Sequence, residues 1–193
     1  EVFVTYDGGE TDQDIGNYER FLNREFSKVN NITTGQVYMS VIKKERNLSY
    51  NGECVSVIPH VPDEVKRRIR KSSEIHDADF TLIEVGGTTG DFENILFLEA
   101  LREMKLEGED IAFIHIVYLP VPGNIGEMKT KPAQHSVREL NSVGIQPDFV
   151  LCRGSVPLDN VRREKLANFC NLSPEHVISA PDVESIYDIP LNF

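Results

Sequence analysis

At 193 residues the chain is long enough to bury one substantial core, and its 40% hydrophobic and 26% charged content is that of an ordinary globular protein. A net charge of −11 excludes a broad surface for nucleic acid or anionic lipid, both of which call for clustered Lys and Arg. No apolar run reaches bilayer length. Cys54, Cys152 and Cys170 are odd in number and far apart, which argues against a disulfide framework or a zinc site and for a reducing, cytoplasmic setting.

In chain order, the first feature is a glycine-containing acidic loop, Tyr6 to Asp14. It is followed by an amphipathic stripe of Tyr18, Phe21, Leu22 and Phe26, and then by a helix through Val37, Val41 and Ile42. From Glu53 onward short β-branched runs alternate with helical patterns, as in a parallel sheet with crossover helices. The predicted strands are Cys54–Ile58, Phe80–Val85, Ile111–Leu119, Asp148–Cys152 and Val177–Ser179. Phe80–Val85 and Ile111–Leu119 are near-continuously apolar, which predicts cover on both faces. Helices are predicted through Val61, Val65 and Ile69, through Ile95, Leu98, Leu101 and Met104, and through Val137, Leu140 and Val143. Pro132 suits the first turn of the last of these and Gly144 its end. Asp159 or Asn160 caps a further helix bearing Val161, Leu166, Phe169 and Cys170. With no repeat and no linker, the expectation is a single α/β domain over residues 1–193, doubly wound.

Ligands of such sheets collect at the carboxyl ends of the strands. The acidic loop holds Asp7, Glu10, Asp12 and Asp14, oxygen donors of the kind magnesium takes, although the spacing suits a solvated turn as well. Glu84 sits within an apolar run that leads into Gly86-Gly87-Thr88-Thr89-Gly90-Asp91. A carboxylate there is costly unless it is paired or holds a cation, so this position resembles the strand-end acid that helps to hold nucleotide-bound magnesium. Lys129 and Lys131 meet a helix start, where free N–H groups and the helix dipole favour anions, so a polyphosphate clamp and a pair of surface lysines both fit. Arg162-Arg163-Glu164-Lys165 reads as a solvated helix face, and none of the five histidines has a partner that assigns it a role.

Several long stretches in order resemble the CTP synthase family. They are Gly8–Gly16 with Asn17-Tyr18-Glu19-Arg20-Phe21, Thr33-Thr34-Gly35, Lys44-Glu45-Arg46, Val57-Ile58-Pro59-His60, Glu84–Glu93, Gly126–Val137 and Asp182–Pro190. The resemblance covers essentially the whole chain. It implies the amidoligase (synthetase) half, with a mostly parallel, P-loop NTPase-like sheet of the dethiobiotin-synthetase kind. In that family ATP phosphorylates the 4-oxygen of UTP and ammonia displaces the phosphate to give CTP, the last step of de novo pyrimidine nucleotide synthesis. A separate glutaminase domain supplies the ammonia and the enzyme is a homotetramer.

By the same resemblance Asp14 and Glu84 match the family's Mg2+ ligands, with Asp14 also at the ATP site. Val183 falls where the ATP base is held. Asp91, Phe92 and Glu93 match the segment that contacts the CTP or UTP nucleoside. Lys129, Thr130, Lys131, Pro132, Ala133 and Gln134 match the stretch on the triphosphate, with Lys165 a further contact. No catalytic side chain is assigned. The family's P-loop lies upstream of the stretch matching Glu1–Thr5, so the first P-loop unit and the glutaminase domain are expected to be missing. The start at Glu1 reads as the interior of a longer protein, and catalytic inactivity of these residues alone is expected. Tyr6, Thr89 and Phe92 depart from the family's common residues without a predicted change of reaction. Another dethiobiotin- or cobyrinate-type ligase, or a non-catalytic CTP-binding module, are the alternatives.

Overall fold

The structure is a computed structural model that describes residues 2–123 and 126–193. The chain divides into two compact units. The first runs to Gly86 and takes in Glu99–Leu101; the second is Gly87–Leu98 with Arg102–Phe193.

In the first unit β1 (Val2–Val4) and β2 (Glu10–Asp12) form an antiparallel hairpin in which Phe3 faces Thr11. The connection closes on itself: Thr5 N–H donates to the Gly9 carbonyl at 2.9 Å, and Gly9 N–H to the Thr5 hydroxyl at 2.9 Å. Asp12 then caps α1 (Gln13–Leu22), which ends on Asn23 in the left-handed region. Only Ile15 of this helix is buried; Tyr18, Phe21 and Leu22 are exposed and Phe26 lies beyond it, so the predicted stripe is not a core face. Gly16 is where the hairpin meets α1, since a Cβ there would come within 2.7 Å of the Phe3 ring. α2 (Thr34–Arg46) starts on the Thr33 side chain and buries Val37 and Val41 against α3 (Val57–Ile75), which buries Val61, Val65 and Ile69.

Two predicted strands of this unit are absent. Cys54–Ile58 runs instead into the first turn of α3, kinked at Ile58 before the cis Ile58–Pro59 bond. Pro59 and Pro62, just beyond the run, keep a strand from extending past Ile58, and the Val61–Ile69 stripe carries the helix. Phe80–Val85 pairs with no strand among the described residues and leaves Phe80 90% and Leu82 89% exposed. A strand exists only through bonds to a neighbour, so an apolar run by itself does not make one.

The second unit is built on three parallel strands in the order β3 (Ile114–Tyr118), β4 (Phe149–Gly154), β5 (Val177–Pro181). α4 (Ile95–Leu106) precedes β3, α5 (Lys131–Ser142) joins β3 to β4, and α6 (Asn160–Cys170) joins β4 to β5. α5 packs on β3 and on α6, and α6 on β5. Val117, Val137, Val150, Leu166, Cys170 and Val177 are buried between them. Cover on both faces is not what β3 has: His115 and Val117 are buried while Ile114, Ile116 and Tyr118 are about 60% exposed. The architecture is α/β on a parallel sheet, with helices α5 and α6 on one face.

Local signals hold well here. Thr130 precedes α5 with Pro132 in its first turn, and Gly144 follows its end at φ +82. A Cβ on Gly144 would also meet Arg102 Cδ at 2.9 Å. Asp159 caps α6 by accepting the Arg162 N–H at 2.9 Å. Among the described residues no helix is long and apolar enough to cross a membrane.

Candidate functional site

In the first unit the acidic loop separates into a structural and an electrostatic part. The Asp7 carboxylate is spent inside the loop: it accepts from the Thr5 hydroxyl and from Lys28 N–H at 3.1 Å, and these bonds hold it below the usual carboxylate range. Asp14, on the first turn of α1, is exposed; its N–H donates to Asp12 at 3.2 Å and its carboxylate accepts from the Asn17 amide at 3.3 Å. Glu84 senses both acids. Glu84 itself is exposed, but partial desolvation pushes its carboxyl upward and the charges of Asp14 and Asp12 push it further. Burial and the same three carboxylates also raise the Tyr18 phenol. Asp12, which carried no signal beyond its place in the loop, therefore shares one field with the two predicted metal ligands. Such a set of hard oxygens fits a hard cation. Among the described residues no group of three or more acid, His or Cys side chains is disposed to hold a metal alone, so water or ligand oxygens would complete the shell.

In the second unit the loops that follow β3, β4 and β5 leave the same end of the parallel sheet. They carry Lys129, the approach to α6, and Val183 respectively. The loop before α5 is anchored from below by Met128, 7% exposed in the core, and by buried Thr130. Lys129 N–H donates to the Pro120 carbonyl at 2.9 Å, and the Gln134 amide donates to the Thr130 hydroxyl at 3.2 Å. Ala133 is buried, whereas Lys131 and Pro132 are exposed at the helix start. Lys165 is exposed on α6, one turn beyond Arg162, whose Nε donates to the Met128 carbonyl at 3.1 Å. The loop ahead of α5 is thus tied to α6 through Arg162, which the sequence places on a solvated helix face. Its two partners in that loop lie 34 and 35 positions away, beyond any local pattern. At the ends of β4 and β5 Arg153 pairs with Asp182 at 3.0 Å beside Val183.

The predicted nucleoside segment lies elsewhere. Asp91 closes a turn by accepting from Thr88 N–H at 3.2 Å, and the Asn94 amide donates to the Thr88 carbonyl at 2.8 Å. Gly87 and Gly90 take positive φ there, and Phe92 is 92% exposed. A Cβ on Gly90 would touch Glu139, which is eight residues and so about 12 Å along α5 from Lys131. The turn that carries Asp91, Phe92 and Glu93 thus packs beside the Glu139 end of α5 and not at its start.

His60 and His115 have structural partners. His60 accepts from Ser56 N–H at 3.1 Å and meets Tyr50 edge-on. Buried His115, kept more neutral by that burial, lies 2.8 Å from the Ser136 hydroxyl. The only candidate chemistry in the described residues is the carboxylate field around Glu84 and the cationic loop ahead of α5.

Comparison with known proteins adds the remaining findings. The family model described as CTP synthase N-terminus matches residues 1–193. The chain is 54% identical to a CTP synthase of Hydrogenobaculum sp. and 52% identical to those of Saccharolobus solfataricus and Methanothermobacter thermautotrophicus. Each match covers 99% of this chain and 36% of the relative's length.

Proposed function

Because the chain belongs to the CTP synthase N-terminal family, we propose that it is the amidoligase part of an enzyme that aminates UTP to CTP at the expense of ATP. The observation that carries this reading is the lysine loop at the carboxyl end of the parallel sheet, tied to α6 and opening onto a helix start. In the reaction the γ-phosphoryl group of ATP passes to the uracil 4-oxygen. Ammonia then attacks C4 and inorganic phosphate leaves with that oxygen.

The chain's own residues are suited to holding the reactants. Lys129 and Lys131, with the free N–H groups of the first turn of α5 around Pro132, Ala133 and Gln134, attract the triphosphate of UTP or CTP, and Lys165 reaches it from α6. Thr130 is buried and fixes the loop from which the lysines project. Asp91, Phe92 and Glu93 serve the nucleoside; their distance along α5 from Lys131 supports a site completed by a second copy, in keeping with a homotetramer. Val183, beside the Arg153–Asp182 pair, serves the ATP base. Asp14 and Glu84, with Asp12 nearby, are the residues that would hold Mg2+, which neutralises phosphate charge during transfer when bound. The sequence contains no glycine-lysine phosphate loop, so ATP calls for backbone donors outside these residues. The 193 residues alone are expected to bind pyrimidine triphosphate without turning it over, and ammonia is expected from a glutaminase domain.

The test is calorimetric titration of CTP with magnesium into the chain, with light scattering to follow mass. Binding that weakens in Lys131→Ala and in Lys165→Ala, and assembly on binding, support the reading. A folded chain that binds ATP and CTP alike, or neither, overturns it.

A further inference from the structure

The loop between β3 and α5 contains an acid as well as its lysines. One carboxylate oxygen of Glu127, Oε2, lies 2.7 Å from Lys129 Nζ, and the other, Oε1, lies 3.3 Å from an Arg162 guanidinium nitrogen. The same guanidinium is fixed by the Met128 carbonyl at 3.1 Å and by the carboxylate of Asp159, the α6 cap. Arg162 is therefore held by bonds to three groups, and Glu127 spans two cations with its two oxygens. That is the disposition in which Lys and Arg side chains receive phosphate oxygens.

We infer that Glu127 is a resident carboxylate that stands in for a phosphate group between Lys129 and Arg162, and that an incoming triphosphate binds by displacing it. The inference rests on the reading of Lys129–Gln134 as the triphosphate site. It makes Arg162 a further phosphate-side residue and Glu127 the residue that sets affinity and selects for charge. Three observations support it. The Glu127 side chain is 54% exposed, so it can swing into solvent without a void behind it. Its backbone neighbour Met128 is locked in the core, so the swing leaves the loop in place. Lys129, and then Arg162, hold the carboxyl below its ordinary range, so it is charged at neutral pH and competes as an anion. Exposed ion pairs are weak, which makes Glu127 a threshold and not a block. A triphosphate outbids it, while a monophosphate, with less charge to offer both cations, does so poorly.

The test is titration of CTP, CMP and inorganic tripolyphosphate into the full chain and its Glu127→Gln, Lys131→Ala and Glu127→Gln/Arg162→Gln variants, with circular dichroism as a check of folding. Glu127→Gln is expected to bind CTP and tripolyphosphate about three- to tenfold more tightly than the wild type at low salt, the gap closing as salt rises. Preference for CTP over CMP is expected to narrow, and the added Arg162→Gln change to abolish the gain. A structural role for Glu127 predicts the opposite sign. Unchanged or weaker binding by folded Glu127→Gln, with the wild type binding and Lys131→Ala impaired, overturns this inference and leaves the triphosphate site standing. Absence of binding by folded wild type and Glu127→Gln alike overturns the site itself and the inference with it.

Discussion

The Lys44 ammonium lies 2.6 Å from the Glu64 carboxylate, joining α2 to α3 through a side chain that is 1% exposed. Arg67 and Arg68 reach the same carboxylate at 2.7 and 2.9 Å. Lys44 belongs to one of the stretches that carry the family resemblance, and here it is engaged in holding two helices together.

Glu64 gives a stability prediction with a definite pH dependence. Burial pushes its carboxyl upward, but hydrogen bonds from Arg67, Lys44, Ser40 and Arg68 outweigh this and leave it far below the ordinary value of 4.5. A depressed acid contributes stability above its unfolded value and loses it as pH falls toward the folded one. Glu64→Gln should therefore cost about 3 kcal/mol near pH 7, since it strands three cations, and progressively less below about pH 4.5. Urea unfolding at a series of pH values measures both; an equal cost at pH 7 and pH 3 contradicts the assignment.

The carboxylate field around Glu84 predicts cation-dependent stability. Partial desolvation and the charges of Asp14 and Asp12 raise its folded-state pKa, so the ionised form is a net cost above that value and the cost is relieved as pH falls. Magnesium should raise the melting temperature at pH 8 and have progressively less effect as pH falls, because the raised carboxyl takes up a proton earlier than an ordinary one. Thermal unfolding of Glu84→Gln and Asp14→Asn should show that shift reduced in each; retention of the full shift in both removes these residues from the metal site.

The lysines should differ from their neighbours in what they affect. Lys131→Ala and Lys165→Ala are each expected to weaken CTP binding about tenfold, the loss of a charge-assisted contact, while leaving the unfolding midpoint unchanged because both side chains are exposed. Thr130→Val, in contrast, removes a buried hydroxyl that accepts from Gln134 and should lower both. Paired calorimetry and denaturant unfolding separate the two patterns.

Thiol reactivity should report the fold of the two units. Burial, with a smaller contribution from Cys170, pushes the Cys152 thiol up to about 12, and burial takes Cys170 to about 11, while Cys54 is exposed. A chromogenic disulfide reagent at pH 8 is expected to modify Cys54 quickly and the other two only on unfolding. Rapid loss of all three thiols in the native protein contradicts the packing of α6 on the sheet.

What the sequence determined by itself was local. The Asp159 cap of α6, the Pro132 and Gly144 punctuation of α5, and the buried positions of α2, α3 and α5 follow from bonds and spacings within a few residues, and so could be read in advance. The family's motifs could be read for the same reason: each is a contiguous run. Only the tertiary structure decided what joins distant positions. Among the described residues it left Phe80–Val85 without a strand partner, and it uncovered Ile114, Ile116 and Tyr118 on one face of the sheet. It set Arg162 on the Met128 carbonyl, and it put Glu127 between Lys129 and Arg162. Strand pairing and charge pairing depend on what another segment brings within a few ångströms, and one-dimensional periodicity carries no record of that neighbour.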